Sequence, residues 1–148
     1  MKTIIVIGLS LLLLGSSNAQ TPSVEIKGKI EVVITNFRND KGNAYVILFN
    51  KPDGFPDMKK GFTTIGKKIV NRSSSVEFDD LPEGEYAISV FHDENNNKVL
   101  DRNFLGIPKE GVGASNNAKG HFGPPKYRDA KFYLKGELKI ITIHINYL

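Results

Sequence analysis

The sequence predicts an all-β fold: an antiparallel Greek-key β-sandwich of about seven strands carrying one long ordered loop. Three observations lead there. Apolar residues recur at every second position in several short runs, and no helical period is visible. Clusters of Gly, Pro, Asn and Asp separate those runs at the intervals of a small sandwich. Residues 93–128 break the rhythm, yet hold Phe104, Leu105, Ile107, Val112, Phe122 and Tyr127, apolar anchors enough to fold that stretch onto a sandwich. A small β-barrel gives the same local signals and is the runner-up.

The elements follow in order. From Glu25 to Thr35, Ile26, Gly28, Ile30, Val32 and Ile34 fall on one face, and Lys27, Lys29, Glu31 and Thr35 on the other. Asn39 to Asn43 is a turn, and Ala44 to Phe49 is a strand of β-branched and aromatic residues, so the pair reads as a hairpin. Lys51 to Gly61 is a loop with Pro52, Gly54 and Pro56. Phe62 to Val70 is a weaker strand, and Val76 to Phe78 a short one before the turn Leu81-Pro82-Glu83-Gly84-Glu85. Tyr86 to Phe91 alternates again. After the long loop come Ala130 to Leu134, a turn at Gly136, and Leu138 to Tyr147. The expected core is Ile30, Val32, Val46, Leu48, Tyr86, Ile88, Val90, Ile141 and Ile143. The last run reaches the terminus, and no sorting tail is expected after it.

Residues 1–19 read as a signal peptide. Lys2 supplies the positive start, Ile4 to Leu14 an apolar run interrupted by Gly8 and Ser10, and Ser17-Asn18-Ala19 the small residues of a cleavage site. The run makes roughly 16 Å of helix against a bilayer core of about 30 Å, too short to span. Residues 20–148 then form one domain, exported to the periplasm or secreted, with no membrane span in the mature chain. That length can bury roughly two-thirds of its unfolded surface and is too short for a two-domain enzyme. The chain has no Cys. This excludes lipid anchoring through a cleavage-site Cys, thiol nucleophiles, zinc ribbons and iron–sulfur sites, and leaves core packing to supply stability without disulfides. The net charge of +4 comes from lysines scattered among acids, with doublets only at Lys59-Lys60 and Lys67-Lys68. Nucleic acid as a partner needs a denser basic patch with interleaved aromatics and is not expected.

The strongest chemical pattern opens the long loop. In Asp93-x-Asn95-x-Asn97-x-Val99-x-Asp101, oxygen-bearing groups occupy alternate positions. Calcium takes six to eight oxygens, and an acyclic loop delivers them with this spacing: side chains of Asp93, Asn95 and Asn97, the carbonyl of Val99, and Asp101 directly or through water. Two departures stand against it. Position 6 is Lys98, where calcium loops place Gly, and position 12 is Phe104, so the closing Glu of an EF-hand is missing. Glu110, Asp129 and Asp53 are candidates to complete the shell. The competing reading is an Asn/Asp-rich turn whose side chains cap their own backbone.

The remaining chemistry is weaker. His92, His121 and His144 lack the spacing of a local zinc-ligand pair. Ser115, in Gly113-Ala114-Ser115-Asn116-Asn117, lacks the second Gly of a nucleophile elbow. Glu110 and Asp129 are the acids that a hydrolase would draw on. Phe55, Phe62, Phe104, Phe122 and Tyr127 either line a ligand groove at one end of the sandwich or pin the loops to the core.

The run from Phe91-His92-Asp93 through Asp101, with Asn103-Phe104-Leu105-Gly106-Ile107-Pro108-Lys109-Glu110-Gly111, Ser115-Asn116-Asn117 and Gly123-Pro124-Pro125, resembles an exported bacterial family, domain of unknown function twenty-one forty-one. Gly54-Phe55-Pro56 and Leu81-Pro82-Glu83-Gly84-Glu85-Tyr86-Ala87 extend the likeness over nearly the whole mature chain. The resemblance implies an exported sandwich-like domain without an assigned activity, and leads one to expect Gly where Lys98 stands. The Leu-Pro-x-Gly-x-Tyr turn is also similar to that of transthyretin-like and carboxypeptidase-regulatory sandwiches, a likeness of fold alone. Taken together, the residues point to an exported, non-enzymatic module, stabilised by calcium, that binds a ligand or a protein partner through its long loop. The alternative is a hydrolase with its acidic residues in that loop.

Overall fold

The computed structural model describes residues 27–148. The expected signal segment, residues 1–19, lies outside the described residues. Among the described residues, eight strands form two sheets. In the smaller, β1 (Lys27–Thr35) is central, with β4 (Ser74–Pro82) antiparallel on one side and β8 (Leu138–His144) on the other. In the larger, the order is β3 (Thr63–Lys68), β2 (Asn43–Phe49), β5 (Gly84–Asp93) and β6 (Val112–Ala114), and β7 (Phe132–Leu134) pairs with the start of β5. The sandwich expected from the alternating pattern is therefore present.

Two features differ from the sequence reading. The β1–β8 pairing is parallel, with Val32 opposite Ile141. Parallel neighbours need a long crossover, and here the chain traverses the whole larger sheet between them. Inside the long loop, Val112–Ala114 forms a strand on the edge of β5, too short to show a period in sequence.

All nine expected core residues are buried, and they belong to one cluster between the sheets. Each fully buried aliphatic or aromatic side chain there contributes about 1.5–3 kcal/mol relative to exposure. The larger sheet is buried on both faces. Ala44, Val46 and Leu48 of β2 and Tyr86, Ile88 and Val90 of β5 face the main core. Ile47, Phe49, Ala87 and Phe91 face the opposite way, into a second cluster with Ala114, Tyr127 and Ala130. This is why β2 reads as a continuous apolar run rather than an alternating one. Phe55, Met58, Leu100 and Ala118 pack against that second cluster, so the loops over residues 50–62 and 94–126 roof the outer face of the larger sheet. Reciprocal hydrogen bonds of 2.9 Å between Val112 and Asn146 tie the edge of the larger sheet to the chain just beyond β8.

Candidate functional site

The long loop starts where β5 ends. Strand alternation sends His92 inward and Asp93 outward, and both are fully buried. Asp93 receives the turn that follows: its Oδ1 accepts the Asn97 N–H at 3.1 Å, and its Oδ2 the Lys98 N–H at 2.9 Å. Asn95 Oδ1 accepts the Asn97 N–H, and Asn97 Oδ1 the Val99 N–H. The side-chain amides of Asn95 and Asn97 both donate to Asp101 Oδ2, at 2.7 and 3.0 Å. Asn96 and Lys98 adopt positive φ, +60° and +62°. Lys98 therefore takes the left-handed conformation for which Gly is the usual residue, a strain of about 1 kcal/mol or more that its N–H bond to Asp93 offsets.

Glu110 locks the two ends of this turn together. It is almost fully buried, and its two oxygens accept the N–H groups of Glu94 (3.0 Å) and Asp101 (3.1 Å). Burial pushes its pKa above the ordinary carboxylate value. The two N–H groups oppose that shift, and the nearby charges of Asp101 and Asp93 add to it. Gly42 abuts the same place. Its φ is +69°, and a Cβ on it would lie 1.7 Å from the Asp93 carbonyl oxygen, so only Gly fits.

The structure thus brings Asp93, Asn95, Asn97 and Asp101 into one turn and adds Glu110 from the candidate acids. Val99 contributes its N–H to Asn97. Asp129 stands on helix α1 (Tyr127–Ala130) beside Arg128, and Asp53 is an exposed loop residue. Every oxygen of Asp93 and Glu110 already holds a backbone N–H. Among the described residues, no group of three or more His, Asp or Glu side chains stands ready to enclose a metal ion. In the arrangement seen, the side chains of the turn cap its own backbone. Equally, Asp93, Asp101 and Glu110 form no ion pair among the described residues, although two of the three are buried.

A second network flanks the turn. His92 Nε2–H donates to the Lys41 carbonyl at 2.7 Å, because a carbonyl can only accept. His92 Nδ1 lies 2.7 Å from the Tyr147 hydroxyl, which accepts the Arg38 N–H at 3.0 Å and so can donate to the ring. The Arg38 guanidinium stacks over Tyr147 and pairs with Glu94. Burial pushes Glu94 up, but Arg38 and Asn39 outweigh it, and its pKa falls below the ordinary value. Burial also raises that of Tyr147. Both ring nitrogens of His92 are engaged in structure, while His121 is exposed and His144 bonds Thr35.

Ser115 has no free hydroxyl proton. It is fully buried, accepts the Ile88 N–H and donates to the Ala130 carbonyl, joining β5 to α1. Asn116 caps the carbonyls of Asp129 and Lys131, and Asn117 accepts the His144 N–H. Together these three neighbours fasten β5, α1 and β8. The five loop aromatics form no single groove. Phe55 and Tyr127 stack edge-on in the second cluster, 5.7 Å apart, whereas Phe62, Phe104 and Phe122 are exposed.

Sequence reading missed Glu110 as the lock of the loop, the capping role of Ser115-Asn116-Asn117, and the Arg38–Glu94–Tyr147 network. All depend on contacts between residues far apart in the chain.

Fold and loop together define a β-sandwich module that displays a self-capped Asp/Asn turn over its larger sheet. A family model described as "uncharacterized protein conserved in bacteria (DUF2141)" matches residues 32–142, and the chain belongs to that family. Neither the curated proteins nor the solved structures give a match to it. Among the described residues, no helix is long and apolar enough to cross a membrane.

Proposed function

We propose that this is an exported, non-enzymatic binding module whose long loop is the binding element and whose Asp93–Asp101 turn takes up calcium. One observation carries the calcium reading: Asp93, Asp101 and the buried Glu110 concentrate negative charge without a paired cation among the described residues. A divalent ion beside Asp93 and Asp101 relieves that repulsion, with Asn95, Asn97 and the Val99 carbonyl as further oxygens. To ligate, the amides of Asn95 and Asn97 must turn their oxygens toward Asp101 and release the backbone N–H groups they now hold. That exchange keeps the affinity low, in the range of about 10⁻⁴–10⁻³ M of extracellular modules.

The test is thermal unfolding with and without calcium. At ten times Kd, calcium binding only to the folded state adds roughly 1.4 kcal/mol, or about 5 °C in Tm for a domain of this size. Asp101→Asn, which preserves volume, removes most of the gain, and Asp93→Ala removes all of it. Glu94→Ala lowers the baseline through loss of the Arg38 pair but keeps the increment. A Tm indifferent to several millimolar calcium leaves the turn as a purely self-capped one.

A further inference from the structure

Beyond the Asp/Asn turn, the long loop forms a second device. Residues 101–109 fold back on themselves as a finger. Lys109 N–H bonds the Asp101 carbonyl, Asn103 N–H the Ile107 carbonyl, and Gly106 N–H the Asn103 carbonyl, all at 2.9 Å. Asn103 Oδ1 accepts the N–H groups of Leu105 and Ile107, and Arg102 reaches along the finger to the Gly106 carbonyl. At the base, Glu110 holds Asp101 and Leu100 packs on the second core cluster. The finger is thus braced by its own hydrogen bonds, and its tip is apolar. Phe104 is 95 % exposed and Leu105 68 %.

Such a tip leaves two adjacent large apolar side chains unburied, and contiguous exposed apolar surface is what marks interaction sites. Both of the finger's exposed charged residues are basic. Arg102 and Lys109 are exposed on the finger and Lys98 on the turn before it. The acids nearby lie at its base rather than its tip: Glu110 is buried, and Asp101 is half-buried and bonded to the amides of Asn95 and Asn97. The same composition recurs independently in the next loop, where Phe122 is fully exposed between Lys119 and Lys126. That loop also roots in the second cluster, through Ala118.

We propose that this finger docks on an anionic lipid surface, with Phe104 and Leu105 entering the acyl boundary and Arg102 and Lys109 meeting the headgroup phosphates. The proposal names the partner of the long loop and rests on the reading of that loop as the binding element. A narrow convex apex with a basic collar fits a fluid surface that needs no matching pocket. A protein partner of ordinary interface size requires roughly 800 Å² of fitted surface on each side, far more than two projecting side chains supply.

The test uses the chain from Gln20 onward, because residues 27–148 contain every described strand and both core clusters. The probes are vesicles of phosphatidylcholine alone and of phosphatidylcholine with one-quarter phosphatidylglycerol, read by co-sedimentation. The protein partitions onto the anionic vesicles, and raising salt from 50 to 500 mM weakens that binding, since the screening length shortens. Phe104→Ser weakens partition about tenfold or more, the factor that follows from withholding one large apolar side chain from the membrane. Arg102→Ala with Lys109→Ala weakens it by about tenfold or more on anionic vesicles only. Phe62→Ser, at an exposed aromatic outside the long loop, changes nothing. Unaltered Tm in each variant separates these effects from misfolding. Absence of partition, equal binding to both vesicle types, or a Phe104→Ser protein that binds like the parent overturns the proposal. So does a solution dimer that Phe104→Ser dissociates, which assigns the tip to a second copy of the chain. The calcium increment in Tm is read separately, and its persistence without vesicle binding refutes the lipid partner while leaving the calcium turn intact.

Discussion

Glu110→Gln is the sharpest test of how the long loop is held. The glutamate gives one oxygen to the Glu94 N–H and the other to the Asp101 N–H. Glutamine is nearly isosteric but has only one oxygen, so its amide nitrogen must face one of those two donors. One charge-assisted bond, worth about 1.5–3 kcal/mol, is lost, and a part-buried N–H is left without its acceptor. The substitution also removes a charge that burial and the neighbouring Asp101 and Asp93 disfavour, which returns part of the loss. The expected net destabilisation is about 1–2 kcal/mol, or roughly 3–8 °C in Tm for a domain of this length.

The assay pairs thermal unfolding with amide hydrogen exchange. Exchange at Glu94 and Asp101 should accelerate in the variant, while amides in the centre of β5, such as Val90, keep their protection relative to the lowered global stability. Glu110→Ala loses both bonds and should fall further. A Glu110→Gln protein with unchanged Tm and unchanged protection at both amides would show that Glu110 does not hold the loop.

Two further outcomes follow from the same geometry. Gly42→Ala forces a Cβ into the Asp93 carbonyl at a residue whose φ is +69°, so it should lower stability by more than about 2 kcal/mol, read as a reduced denaturant midpoint at unchanged slope. For Glu94, the folded pKa lies below its ordinary value of 4.5, so its charged form stabilises the fold above that value, and the contribution disappears as pH falls through the folded pKa. Glu94→Gln should therefore be less stable than the parent at pH 7, with the gap closing in acid unfolding series below about pH 4.5; a gap that stays constant to pH 3 would contradict the Arg38 pairing.

The period of two across β1 is enough to assign its inner face, because burying one face of a pleated strand leaves that trace in the chain, whereas β5 is buried on both faces and Ala87 and Phe91 enter the second cluster. Such a period is not enough to orient β8. A strand's alternation is the same whether its neighbour runs parallel or antiparallel, and the crossover that decides between them involves the entire larger sheet. The spacing from Asp93 to Asp101 was legible for a similar reason: a tight turn brings alternate side chains together whether they hold an ion or cap the backbone. Glu110 was legible only as one acid among three. Nothing local distinguishes it from Asp53 or Asp129, and what selects it is that the finger returns the chain to the base of the turn.

The turn is ordered by its own side chains, with Asp93 and Glu110 taking four backbone N–H groups between them. An ion is therefore not needed to nucleate it, as it is in small metal domains that unfold without their metal. What calcium can add is relief of repulsion among Asp93, Asp101 and Glu110, less the cost of turning Asn95 and Asn97. A modest increment to an already folded domain is the outcome consistent with that balance. A collapse of the fold on chelation would instead place the ion among the elements that hold the sandwich together, a role the capped turn does not require.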